Sequence, residues 1–261
     1  TYTPTDGSDR SVSFHLKPKL EVYGGFTGGE ESLDRRNPRQ NRTVLSGNIG
    51  DPDAADDNNY HVLIGADGAV LDGFTITGGY ADGEAYDQHG GGMANYRRLD
   101  GETDRREAPG RSGRGRRGAG RARGERRGGG PGGGGSGGGG ERSVVAGTGY
   151  SPVLRNCVFR DNYARRGGAL YNYDGAKPII SRCRFEGNSA RLGGAMYCTV
   201  GANSDIRRCT FSRNHAQWRG GAIVIHYGSD VKLTACNFER NETDGNGGAI
   251  QVDDSASQIG H

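Results

Sequence analysis

Leu154 to Leu170 reads LRNCVFRDNYARRGGAL, and the pattern returns three more times before the chain ends. Aligning Cys157-Val158-Phe159 with Cys183-Arg184-Phe185, Cys209-Thr210-Phe211 and Cys236-Asn237-Phe238 gives steps of 26, 26 and 27 residues. Three residues before each cysteine stands an aliphatic (Leu154, Ile180, Ile206, Leu233), and three after each phenylalanine an asparagine (Asn162, Asn188, Asn214, Asn241). Each copy then runs through Gly-Gly-Ala to an aliphatic at Leu170, Met196, Ile223 and Ile250. Every unit thus holds three short apolar stretches separated by glycine and asparagine, too short for helices and suited to strands. A unit this small cannot bury its apolar face alone, so the copies must stack. The expected fold is an all-β parallel solenoid with coils of about 26 residues spaced about 4.8 Å apart.

A divergent coil precedes the four. In Leu71-Asp72-Gly73-Phe74-Thr75-Ile76-Thr77-Gly78-Gly79, Leu71 takes the aliphatic place, Phe74 the cysteine place, Ile76 the phenylalanine place and Gly79 the asparagine place. Gly90-Gly91-Gly92-Met93 then matches Gly-Gly-Ala-aliphatic. Upstream, Val12 to Leu16, Leu20 to Phe26, Thr43 to Ile49 and His61 to Ile64 are further strand candidates. The step between consecutive aliphatics after the glycine doublet is 10 residues in the regular coils but 61 from Met93 to Leu154, an excess of 51. Arg97 to Gly147 has that length and contains no Phe, Tyr, Trp or Ile. It reads as a disordered Gly/Arg-rich insert thrown out from a turn, with too little apolar surface to offset chain ordering. Glycine, arginine, alanine and proline are also what GC-rich codons yield out of frame, an alternative that the nucleotide sequence settles. The organisation is therefore divergent coils over 1–96, the insert over 97–147 and regular coils over 148–261. Ile259 reaches the aliphatic place of another coil and the chain stops at His261, the pattern of a missing cap or of a fragment.

Composition sets the limits. Fifty of 261 residues are glycine, 19 of them in the insert, which excludes a helix bundle and leaves a turn-rich ordered part. No apolar run is long enough for a membrane-spanning helix. Net charge is +3, yet the insert alone carries +7, so the coils are mildly acidic at about −4. The basicity belongs to the insert, which lacks aromatics, and no nucleic-acid partner is expected from it.

The four Gly-Gly-Ala-[Leu/Met/Ile] motifs, each paired with Phe-x-x-Asn, resemble the repeats of polymorphic outer membrane proteins, of the pectin-lyase-like superfamily. The stretches Val22-Tyr23-Gly24-Gly25-Phe26, Val44-Leu45-Ser46-Gly47 and Val70 to Gly79 are similar to those of secreted right-handed β-helix repeat proteins. The resemblance covers all but the insert. It implies a right-handed parallel β-helix, export, and display at the outer cell surface, with any outer-membrane association made through regions outside this chain. It implies no reaction, because this scaffold hosts lyases, adhesins and tailspikes alike.

Stacked asparagines lie one coil apart, so Asn162, Asn188, Asn214 and Asn241 are expected to form an amide ladder. Cys157, Cys183, Cys209 and Cys236 occupy one inward column, with Cys198 inward beside Met196; the spacing is no zinc pattern, and buried small hydrophobes are the plain reading. Disulfides between coils are open to them by distance. If Leu170, Met196, Ile223 and Ile250 point in, then Tyr171, Tyr197, Val224 and Gln251 point out, followed by Tyr173, Thr199, His226 and Asp253. Such a strip could stack sugar rings, and His226 beside Asp253 could form an acid/base pair. No cofactor or metal is expected. Asp51, Asp53, Asp56 and Asp57 could offer oxygens to calcium, but they match no EF-hand and read as a solvated loop. The expected function is a non-catalytic, adhesin-like scaffold that binds a carbohydrate or a host or cell-surface ligand. The alternative is a polysaccharide lyase or glycoside hydrolase acting on acidic or cell-wall glycans through His226 and Asp253.

Overall fold

The structure, a computed structural model, describes residues 1–96 and 150–253; the insert expected at 97–147, the boundaries drawn around it and Ile259 lie outside the described residues. Four parallel sheets run along one axis. One coil visits them in turn: Ile179–Ser181 in what we call the leucine sheet, Arg184–Glu186 in the phenylalanine sheet, Ser189–Leu192 in the alanine sheet and Met196–Cys198 in the tyrosine sheet. Each strand pairs in register with its equivalents one coil away. Ile180 faces Leu154 and Ile206, Phe185 faces Phe159 and Phe211, and Met196 faces Leu170 and Ile223. The divergent coil keeps this register, with Leu71 on Leu154, Ile76 on Phe159 and Met93 on Leu170. Upstream, the strands are shorter than their sequence candidates: Phe14–His15, Glu21–Tyr23, Thr43–Ser46 and Leu63–Ile64. They extend the tyrosine, leucine and phenylalanine sheets.

The corners explain the glycines. Strands this short can turn through a single residue in the left-handed region, which bends the chain without a loop. Asn156, Arg182, Arg208 and Ala235, at φ of 51° to 53°, make the corner between the leucine and phenylalanine sheets. The corner before the tyrosine sheet admits only glycine. A Cβ on Gly193 (φ 65°) would sit 2.1 Å from the Met196 carbonyl oxygen, and one on Gly194 would sit 2.2 Å from that of Gly221 in the next coil. The first glycine of each doublet closes the turn, and the second lets coils stack at backbone contact.

Inside, the phenylalanines stack coil on coil, with ring centroids 5.3, 4.6 and 4.8 Å apart from Phe159 to Phe238. Beside them the asparagine column is continuous. Asn162 Nδ2 donates to Asn188 Oδ1 (3.0 Å), Asn188 Nδ2 to Asn214 Oδ1 (3.0 Å) and Asn214 Nδ2 to Asn241 Oδ1 (2.9 Å). Each Oδ1 also accepts the backbone N–H of the preceding asparagine, and at the top Gly79 N–H donates to Asn162 Oδ1. All five cysteines are free thiols; Cys157, Cys183, Cys198 and Cys209 are buried and Cys236 is half-buried. Burial pushes the Cys183 and Cys198 thiols up.

Candidate functional site

The tyrosine sheet was expected to offer an open aromatic strip, and here the structure corrects the sequence. Tyr171 and Tyr197 do leave the solenoid interior, stacked 5.9 Å apart, but they are only 1% and 2% exposed, and Tyr173 is buried as well. The cause is an excursion after Ala81, whose 3-10 turn Ala85–Gln88 carries Tyr86. Tyr86 stacks on Tyr96 at 4.8 Å and meets Tyr173 edge-on at 6.3 Å. Together with Ala94 and Val224 these rings form a second apolar cluster on the outside of the sheet. Rings packed in this way serve as core, and no free face is left on Tyr171 or Tyr197 for a sugar to stack on.

His226 and Asp253 are direct partners in the parallel register, as the repeat alignment requires. Their side chains take other partners. His226 Nδ1 lies 2.8 Å from the Tyr197 hydroxyl, with the Tyr227 ring 3.9 Å from the imidazole. The Asp253 carboxylate is held by the guanidinium of Arg219, which leads into the next glycine corner. An acid/base pair needs the histidine within hydrogen-bond reach of its carboxylate or substrate, and the structure brings the two residues to one edge without joining them. Thr199, expected on the outward strip, is fully buried.

Two buried histidines went unnoticed in the sequence. His61 Nδ1 lies 3.2 Å from the Gly90 carbonyl and its Nε2 3.2 Å from the Tyr96 hydroxyl, which also donates to the Tyr86 carbonyl at 3.3 Å. Asp87 stands 3.7 Å from Nε2. His89 stacks on Tyr171 at 4.5 Å. Its Nε2 faces the Arg166 guanidinium at 3.0 Å and accepts from it, since a guanidinium has no acceptor. Burial first, and then the charge of Arg166, hold the His89 pKa well below the ordinary histidine value. The His89 ring is therefore a neutral fixture of the second core, and His61 packs edge-on against Tyr96 beside it at 6.1 Å. The sequence did carry a signal: from the asparagine place to the glycine doublet is 5 residues in the coil of Asn162 but 11 from Gly79 to Gly90. The extra length is the excursion that brings in Tyr86 and His89.

The acidic loop uses its carboxylates on its own backbone. Asp57 Oδ2 accepts Asp51 N–H at 2.7 Å and Asp51 Oδ1 accepts Asp53 N–H at 2.9 Å. Among the described residues no group of three or more His, Cys, Asp or Glu side chains is set to hold a metal ion, and no helix is long and apolar enough to cross a membrane.

Residues 139–260 match the family model for the right-handed β-helix region. Comparison with curated proteins returned no match, and neither did comparison with solved structures. Four parallel ladders with 26- to 27-residue coils, an asparagine column at one corner and this match give the chain the fold of a right-handed parallel β-helix.

Proposed function

We propose that this β-helix is a non-catalytic binding scaffold displayed outside the cell, with a carbohydrate or another cell-surface molecule as its ligand. One observation carries the reading: the only acid/base pair the repeats suggested, His226 and Asp253, is divided between Tyr197 and Arg219. The resemblance to the repeats of polymorphic outer membrane proteins supports the location at the outer surface. Attachment to a membrane then belongs to parts of the protein beyond these coils.

A glycan array tests the binding, and an assay for unsaturated uronide products on the bound glycans tests the absence of chemistry. Binding without product is the expected outcome. Product formation that is lost in His226→Ala would replace this reading with that of a polysaccharide lyase.

A further inference from the structure

The outer face of the phenylalanine sheet carries a groove that the repeats do not announce. Its far wall is the segment from Leu33 to Arg42, folded over the sheet. That segment is pinned by Arg36, which is nearly buried, pairs with the nearly buried Asp72 at 2.9 Å and donates to the Gly24 carbonyl at 3.0 Å. Glycine is needed beneath it, because a Cβ on Gly25 (φ 96°) would lie 2.7 Å from Pro38. The wall is therefore built in, and the groove beneath it encloses about 770 Å³. It runs from Val44 across Thr75, Val158 and Arg184 to Thr210. Those residues stand on five successive strands of the sheet, which at about 4.8 Å per strand is about 19 Å along the axis.

Its charge is one-sided. Among the described residues, seven arginines line it against two acids, Asp34 and Glu186. Arg36, Arg160 and Arg184 have carboxylate partners in Asp72, Asp161 and Glu186. Arg39, Arg42, Arg182 and Arg208 have none among the described residues. Arg182 and Arg208 hold the same corner one coil apart, and like charges stacked on neighbouring strands destabilise a sheet. An unneutralised arginine column in a walled groove is relieved when an anion fills it, and the guanidinium fork matches oxyanions in two-point contacts.

We infer that this groove binds a linear polysaccharide bearing carboxylate or sulfate groups on its rings, lying along the solenoid axis. A polymer suits a channel that crosses five strands, and a charge on successive rings meets a charge on successive coils. Thr75, Asn156 and Thr210 add short hydrogen-bonding side chains for hydroxyls. Among the described residues no Phe, Tyr or Trp lines the groove, so these residues build no stacking platform of the kind a single-stranded nucleic-acid channel has. The inference rests on the binding reading above and gives it a place and a ligand class.

The test measures binding of the full chain to polygalacturonate, dextran sulfate, uncharged dextran and polythymidylate by affinity electrophoresis. The expected result is retardation by polygalacturonate or dextran sulfate, or both, none by dextran, and weakening by added salt. The two anionic arms tell a carboxylate from a sulfate preference. The double variant Arg182→Gln/Arg208→Gln should weaken binding about tenfold or more with the melting temperature held or raised. The charge-matched control Arg165→Gln/Lys177→Gln should change it little. Equal binding by both variants, or polythymidylate held more tightly than either polysaccharide, would overturn the inference. Uncharged glycans bound on the array regardless of the arginines would overturn it while leaving the scaffold reading intact, and no glycan bound at all would remove both.

Discussion

Replacing Asn188 by alanine removes the middle rung of the asparagine column, and the structure shows which groups are stranded. Asn188 Oδ1 accepts the backbone N–H and the Nδ2 of Asn162, at 3.2 and 3.0 Å. Its Nδ2 donates to the Phe159 carbonyl at 2.9 Å and to Asn214 Oδ1 at 3.0 Å. Asn214 Oδ1 keeps the Asn188 backbone N–H, and Asn162 Nδ2 keeps the Ile76 carbonyl. The Asn162 N–H and the Phe159 carbonyl are left without this partner in a fully buried place. At about 1–3 kcal/mol for each stranded buried group, the loss is about 4 kcal/mol, a large part of the about 5–15 kcal/mol that holds a domain folded. Calorimetry should then show a melting temperature lower by about 10 °C. Asn241→Ala is the internal comparison. Asn241 ends the described ladder and is only half-buried, so water can replace its lost bonds and the drop should be less than half as large. Equal drops for the two variants, or a shift of under about 2 °C for Asn188→Ala, would refute the reasoning.

Other outcomes follow from the same geometry. Gly193→Asn should abolish folding or cost more than about 3 kcal/mol, because its Cβ meets the Met196 carbonyl. Gly187→Asn, at an equally left-handed corner where other coils carry Asp161 and Arg213, should cost under about 1 kcal/mol; urea titration compares the two. A thiol reagent should modify Cys236 first and all five cysteines only after unfolding, and fewer than five would reveal disulfides. Because the folded Cys183 thiol is pushed up by burial, its contribution to stability is complete below the unfolded thiol pKa and is lost as the pH rises above it. His89 works in the opposite direction. Its folded pKa lies well below the ordinary value, so stability is complete above the unfolded histidine pKa of about 6.5 and falls as acid protonates the unfolded chain. Melting curves at neutral and mildly acidic pH should show a smaller acid loss in His89→Gln.

The coil register was readable residue by residue because a repeat states its own alignment. Once Cys157-Val158-Phe159 is laid on its copies, the pairings of Leu154, Phe159 and Leu170 follow, even across to Leu71, Ile76 and Met93. What alternation along a strand cannot say is what lies over the outward side. Tyr171 and Tyr197 leave the solenoid as period 2 requires, but Tyr86, from an excursion outside the repeat, packs with Tyr96 over them and turns the strip into a second core. His226 and Asp253 were aligned correctly by backbone, while Tyr197 and Arg219 decided their partners through side-chain reach. The arginine groove was hidden for a different reason. Arg182 and Arg208 recur in sequence, but the wall that makes a groove of them is Leu33 to Arg42, more than a hundred residues upstream.

The stacked ladders, the divided histidine and aspartate, and the arginine column all depend on a single register, and a disulfide trap reads that register directly. Arg184 and Thr210 are facing partners on adjacent strands of the phenylalanine sheet, with neither buried, at the about 4.8 Å spacing that a disulfide can bridge. Arg184 and Ser212 are two residues further out of step, about 8 Å apart and beyond its reach. The account predicts that Arg184→Cys/Thr210→Cys cross-links within the folded protein under mild oxidation, giving a faster-migrating species, and that Arg184→Cys/Ser212→Cys does not. Cross-linking in the second variant but not in the first would contradict the register, and with it the placement of every residue on which the function has been argued.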